Sequence, residues 1–213
     1  VTRTIRLGAV ASLALLVAGC GGTFTSKAPV SRAYVLYPAP IAVASATAGE
    51  PARTAPAFAG ALRISRPVPG PGFETDRILL LRADRQLDFF ANGHWAAPIP
   101  DMIGALAGET LRREALFTSA YGDGTPLRSD YFLQIVVRAF VADYSRGGDS
   151  PVALVVLDCT LVQRLDRTVL ANFTVRGEAP AAANRMTEVV AAHELALQQA
   201  LAGLVSSLAA AAP

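Results

Sequence analysis

The stretch YFLQIVVRAFVADY, Tyr131–Tyr144, alternates Leu133, Ile135, Val137, Ala139 and Val141 with Gln134, Val136, Arg138 and Phe140. A period of two sustained over this length predicts a long strand with one apolar and one mixed face. In VALVVLDCTLVQRLD, Val152–Asp166, the residues Val155, Leu157, Cys159, Leu161 and Leu165 share a face against Asp158, Thr160, Arg164 and Asp166. TVLANFTVR, Thr168–Arg176, sets Val169, Ala171, Phe173 and Val175 against Asn172, Thr174 and Arg176. With Asp166-Arg167 as the hairpin turn, the three segments form an antiparallel meander whose apolar side needs a cover.

The cover lies immediately C-terminal. From Asn184 as N-cap to Leu208, the residues Met186, Val190, His193, Leu197, Leu201, Leu204 and Leu208 recur at steps of three and four, one apolar stripe on an Ala-rich helix. Upstream, short apolar runs predict strands at Arg32–Pro38, Ala57–Ser65, Ile78–Arg82 and Gln86–Ala91, with turns at Ala83–Arg85 and at Asn92-Gly93. Pro98, Pro100 and Asp101 then suit a helix start. That helix runs to about Arg113 with Ile103, Leu106, Ala107 and Leu111 inward, and Gly104 and Gly108 allow close packing on a sheet. Ala115–Tyr121 returns as a strand, and Ala39–Pro56 reads as an Ala/Pro-rich surface excursion. Each half of the chain thus reads as several strands followed by a helix. The expected fold is α+β: a mainly antiparallel sheet packed against two helices, one domain over 33–211.

Ahead of this domain stands VTRTIRLGAVASLALLVAGC, in which Arg3 and Arg6 precede an apolar run that ends in Val17, Ala18, Gly19 and Cys20. A basic start, a short apolar core and small residues before a cysteine describe a secretory signal peptide over 1–19. The run is shorter than the roughly 20 apolar residues a bilayer core demands. The tetrapeptide resembles the bacterial lipobox, whose cysteine is lipidated, and Val1 fits a non-ATG start codon translated literally. Gly21–Arg32 is Gly, Thr, Ser and Pro without hydrophobic period. It reads as a flexible tether reaching up to about 40 Å.

Charge and cysteine content narrow the partners. The chain is +2, and removal of Arg3 and Arg6 with the signal leaves 17 basic and 17 acidic residues, with no basic excess for nucleic acid. Only Cys20 and Cys159 are present, and acylation of Cys20 leaves no pair for an intramolecular disulfide. Catalytic patterns are sparse. HELAL at His193 lacks the second histidine of a zinc protease helix, since Leu197 stands there, and His94 is the only other histidine. Cys159 sits mid-strand on the inward face, where a small buried hydrophobe is expected rather than a nucleophile. Asp84 and Asp88 flank a turn, PVPGPG at Pro67–Gly72 lacks the Lys and Ser/Thr of a phosphate loop, and no Gly-x-Ser-x-Gly elbow occurs. Neither a metal nor a cofactor is called for. Phe90, Asn92 and Trp95 are left as candidate partner-binding residues, although packing beneath the first helix suits Trp95 somewhat better than contact with a partner.

The lipobox, the YVL strand, RILLLRADRQLDFFANGHWAAPIPDMI before a helix, QIVVRAFVADY, LVVLDCTLVQRLDRTVLANFTV and the Ala/Leu-rich final helix together resemble the ABC-type transport auxiliary lipoprotein family, the PqiC/YmbA type. The resemblance implies a lipoprotein anchored through Cys20 and facing the periplasm; separately, Gly21 stands where inner-membrane retention would need an aspartate, which favours the outer membrane over the inner as the anchor's site. The resemblance also implies a non-enzymatic accessory to an MCE-domain protein and its ABC transporter subunits in moving phospholipid or other hydrophobic molecules between the two membranes, with a homo-oligomer among the allowed assemblies. Two other readings stand beside it: a structural envelope lipoprotein assisting outer-membrane or cell-wall assembly, and a lipid-active hydrolase.

Overall fold

Strand β7 (Tyr131–Asp143) is the spine of the sheet. In the computed structural model, which describes residues 31–37 and 55–213, one edge of β7 pairs antiparallel with β8 (Val152–Gln163) along its whole length, from Tyr131 opposite Gln163 to Asp143 opposite Val152. β8 pairs in the same sense with β9 (Val169–Pro180), which completes the expected meander. The other edge of β7 is shared by three strands in succession, all parallel to it. β2 (Phe58–Ile64) takes Tyr131–Leu133, β3 (Val68–Pro69) takes Val136 and Val137, and β4 (Arg77–Leu81) takes Ala142 and Asp143. Beyond them lie β6 (Phe117–Gly122) parallel to β2, β5 (Leu87–Trp95) antiparallel to β4, and β1 (Arg32–Tyr34) parallel to β5. The described residues thus form α+β architecture: a mixed, largely antiparallel nine-stranded sheet with two helices, α1 (Ile99–Glu114) and α2 (Met186–Ala210).

Simple alternation fails at one point of the spine. The β7–β8 register slips between Val137 and Ala139, so Arg138 is an extra residue and the inward parity reverses beyond it. Phe140 and Ala142 are fully buried, whereas Ala139, expected on the core face, is only partly covered. Two further expectations are corrected. Leu165 lies past the end of β8 in the β8–β9 turn and is 92% exposed, not on the inward face. Asn92-Gly93 does not turn the chain but lies within β5, where pairing with β4 jumps from Leu79–Phe89 to Arg77–His94. Gly93 is there for close approach: a Cβ would stand 3.1 Å from the Tyr34 ring and 3.3 Å from both Ile78 and Met186.

Both helices cover the sheet as the apolar spacing demands. α1 buries Ile103, Leu106, Ala107 and Leu111, and stops at Ala115, whose left-handed φ of 50° ends the helix. A Cβ at Gly104 would lie 2.8 Å from Pro67 Cδ, so the glycine lets α1 sit against the β2–β3 connection. α2 buries His193, Leu197, Leu201, Leu204 and Leu208 as expected, together with Val189, Ala192, Ala196 and Ala200. Asn184 is not its N-cap. Arg185 holds that position without a side-chain bond, and Asn184 Oδ1 accepts from Tyr144 Oη at 2.7 Å instead. α2 is long and apolar enough to cross a membrane, yet its apolar stripe is packed on β8 and β9.

Candidate functional site

His193, at the centre of α2, is fully buried between Trp95 and Phe140, with ring centroids 5.3 and 5.2 Å away. Its Nδ1 bonds the Val189 carbonyl at 2.8 Å, and burial pulls its pKa from 6.5 down to about 4, which keeps the ring neutral. Nε2 faces no partner, and neither does the nearby indole Nε1 of Trp95. Cys159 is fully buried on β8, and desolvation pushes its thiol up to about 12, so it cannot supply a thiolate at neutral pH. Asp88 pairs with Arg82 at 2.8 Å, and Asp84 accepts the Gln86 amide at 3.1 Å; both serve the β4–β5 turn. Among the described residues, no cluster of His, Cys, Asp and Glu could hold a metal.

The partner-binding candidates separate from one another. Trp95 has no exposed surface, so it is a core residue and not a contact point on this chain. Phe90 is half-buried and Asn92 exposed, both in the irregular part of β5. Phe90 helps to line a shallow cleft of about 280 Å³ with Ser31, Asp76, Arg77 and His94. The His94 ring meets Ser31 Oγ at 3.0 Å, and the Arg77 guanidinium stacks 3.9 Å over Phe89. This edge therefore offers aromatic and polar contact area but no buried reactive group. The Val17, Ala18, Gly19 and Cys20 lipobox lies outside the described residues.

A larger groove, about 610 Å³, runs between α1 and the ends of β2 and β6. Gly104, Ala105 and Gly108 leave its floor without bulky side chains, and Arg66, Asp101 and Arg112 stand on its rim. Arg66 bonds Asp101 and Glu74 at 2.6 Å each, which holds the Glu74 carboxyl below its ordinary range and raises the guanidinium. The sequence signal for this groove was the Gly104, Gly108 spacing, which marks close packing but says nothing about a concavity beside it.

No curated protein matches the chain. Among solved structures, a Xanthomonas campestris protein assigned to the DUF330 family is 25% identical, with a TM-score of 0.67 over 76% of this chain and 90% of that one. An uncharacterised protein is 14% identical, with a TM-score of 0.62 over 84% and 99% of the two chains, and shares the fold. A hypothetical protein of Chlamydia trachomatis is similar at 7% identity and a TM-score of 0.50, over 73% and 98%. The profile of the ABC-type transport auxiliary lipoprotein component matches residues 42–205, which takes in β2 through most of α2. A match over that span includes the spine, the meander and both helices, and the chain belongs to the ABC-type transport auxiliary lipoprotein family.

Proposed function

We propose that this protein is a lipid-anchored, periplasm-facing accessory of an ABC-type transport system that carries phospholipid or other hydrophobic molecules between the two envelope membranes, its direct partner being an MCE-domain protein. The observation that carries the reading is the family match over 42–205. Residues 1–20 supply the rest: a signal peptide over 1–19 and lipidation at Cys20, with Gly21 favouring the outer membrane as the anchor's site. Two or more acyl chains at about 0.8 kcal/mol per buried methylene make such an anchor effectively permanent.

The role is non-enzymatic. The buried polar side chains act structurally: His193 is a neutral core ring and Cys159 a protonated core thiol. The exposed edge of β5 around Phe90 and Asn92 and the groove beside α1 are surfaces for partner subunits. The test is purification of the tagged full chain from detergent-solubilised envelopes after crosslinking in cells. Recovery of an MCE-domain protein with ABC transporter subunits is expected. Recovery of cell-wall or barrel-assembly proteins in their place would overturn the assignment.

A further inference from the structure

One end of the sheet carries a combination that the transport reading does not use. The β8–β9 turn and the β6–β7 loop meet there, joined by the Arg164 amide donating to the Asp130 carbonyl at 2.8 Å. Leu165 on the turn is 92% exposed, Val169 just beyond it 57%, and Leu127 on the adjoining loop 56%. Burying none of three large aliphatic side chains at one tip has a cost in water unless another apolar phase receives them. Arginines surround them. Arg63, Arg164 and Arg167 line a pocket of about 250 Å³ with Ser129, and Arg128 is its exposed neighbour in sequence.

These arginines have no direct carboxylate partner: among the described residues, Arg128, Arg164 and Arg167 form no ion pair, whereas Arg66, Arg82, Arg138, Arg146, Arg176 and Arg185 all do. Arg63 spends its guanidinium on the carbonyls of Thr125 and Leu127, at 3.1 and 2.6 Å, and so pins the loop that presents Leu127. The carboxylates of this end are exposed as well, but two of them are engaged by backbone amides rather than by these arginines. Asp130 accepts the Ala61 amide at 2.8 Å and Asp166 the Thr168 amide at 3.1 Å, which leaves Asp123 as the remaining acid of the loop. Exposed aliphatic tips ringed by arginines match the layered chemistry of a bilayer surface, with acyl chains below and phosphates above.

We propose that this tip docks on an anionic phospholipid surface, Leu165, Val169 and Leu127 entering the headgroup layer while Arg128, Arg164 and Arg167 contact lipid phosphates. The contact is separate from the acyl anchor at Cys20, and it rests on the envelope placement proposed above. Its test is the full chain carrying Leu165→Cys with an environment-sensitive NBD label, mixed with vesicles of phosphatidylglycerol and phosphatidylethanolamine or of phosphatidylcholine alone. Cys159 is buried and stays unlabelled, and tryptic mapping confirms that Cys20, blocked when acylated, carries no label. Asp149→Cys, on the exposed β7–β8 loop at the other end of the spine, is the control. Vesicle flotation reports the anchor independently of the label.

The expected result is an emission rise of about threefold with a blue shift at position 165 in phosphatidylglycerol vesicles, quenched by doxyl-labelled lipid. The control label should not respond, and most of the rise should be lost in Arg164→Gln/Arg167→Gln. Both arginines are exposed, so that variant keeps the fold. A label at 165 that reports water in every vesicle would overturn the proposal, whether or not the protein floats. So would an equal response at 149, an equal response in phosphatidylcholine, or a rise that follows protein concentration without lipid, which would assign the tip to a second copy of the chain.

Discussion

Gly177 of β9 lies so close to the backbone of α2 that a Cβ on it would come within 1.8 Å of the Ala196 carbonyl oxygen. Strand and helix meet there main chain to main chain, with Ala192, Ala196 and Ala200 buried along the contact. The obstruction is backbone, which cannot swing aside as a side chain can. Gly177→Ala should therefore cost about 3 kcal/mol or more, at the upper end of overpacking. Gly203→Ala is the contrast: its Cβ would meet only Val175, at 3.4 Å, inside a helix where alanine gains about 0.5–1 kcal/mol over glycine. Chemical denaturation of both variants checks this, and equal effects would contradict the packing described.

His193 makes stability depend on pH in a defined window. The unfolded imidazole titrates near 6.5 and the buried one at about 4, desolvation being the main cause. Between those values the unfolded chain takes up a proton that the folded chain refuses. The contribution is complete above pH 6.5, falls as pH drops, and is gone below about 4, a loss on the order of 3 kcal/mol. Denaturation midpoints measured from pH 7.5 to 4 should show this slope in the wild type and lose most of it in His193→Leu. The same slope in both proteins would contradict it.

Cys159 should be inert. With no exposed surface and a thiol held near 12, it should resist maleimide in the folded protein for hours at pH 7 and react fully in denaturant. Prompt labelling under native conditions would mean that β8 is accessible where the structure closes it.

The fold was legible where one periodicity ran unbroken. The meander, α1 and the stripe from His193 to Leu208 follow from spacing alone. The rest depended on tertiary facts that spacing does not carry. The bulge at Arg138 reverses parity and hands the core position from Ala139 to Phe140. Gly93 looked like a turn residue beside Asn92, yet it is required where Tyr34, Ile78 and Met186 crowd a strand. Ala192, Ala196 and Ala200 widen the buried face of α2, and alanine is too common along this helix to mark a face. The parallel pairings of β2, β3 and β4 with β7 join segments far apart in sequence. Of the site residues, Trp95 proved to be core, while the tip at Leu165 was missed because alternation was carried two residues past the end of β8.

Phe140 gives a direct check of that bulge. It is fully buried against Trp95, with ring centroids 5.6 Å apart, so Phe140→Ala should cost about 3–5 kcal/mol by calorimetry or denaturation. Unbroken alternation would place Phe140 on the mixed face and make the loss small.

Intact-mass analysis of the protein extracted from envelopes tests the proposed membrane tether at Cys20. A chain that begins at Cys20 and carries a diacylglycerol thioether is expected, with Cys20→Ala abolishing both cleavage and modification. An unmodified Cys20, or a chain retaining residues 1–19, would contradict it.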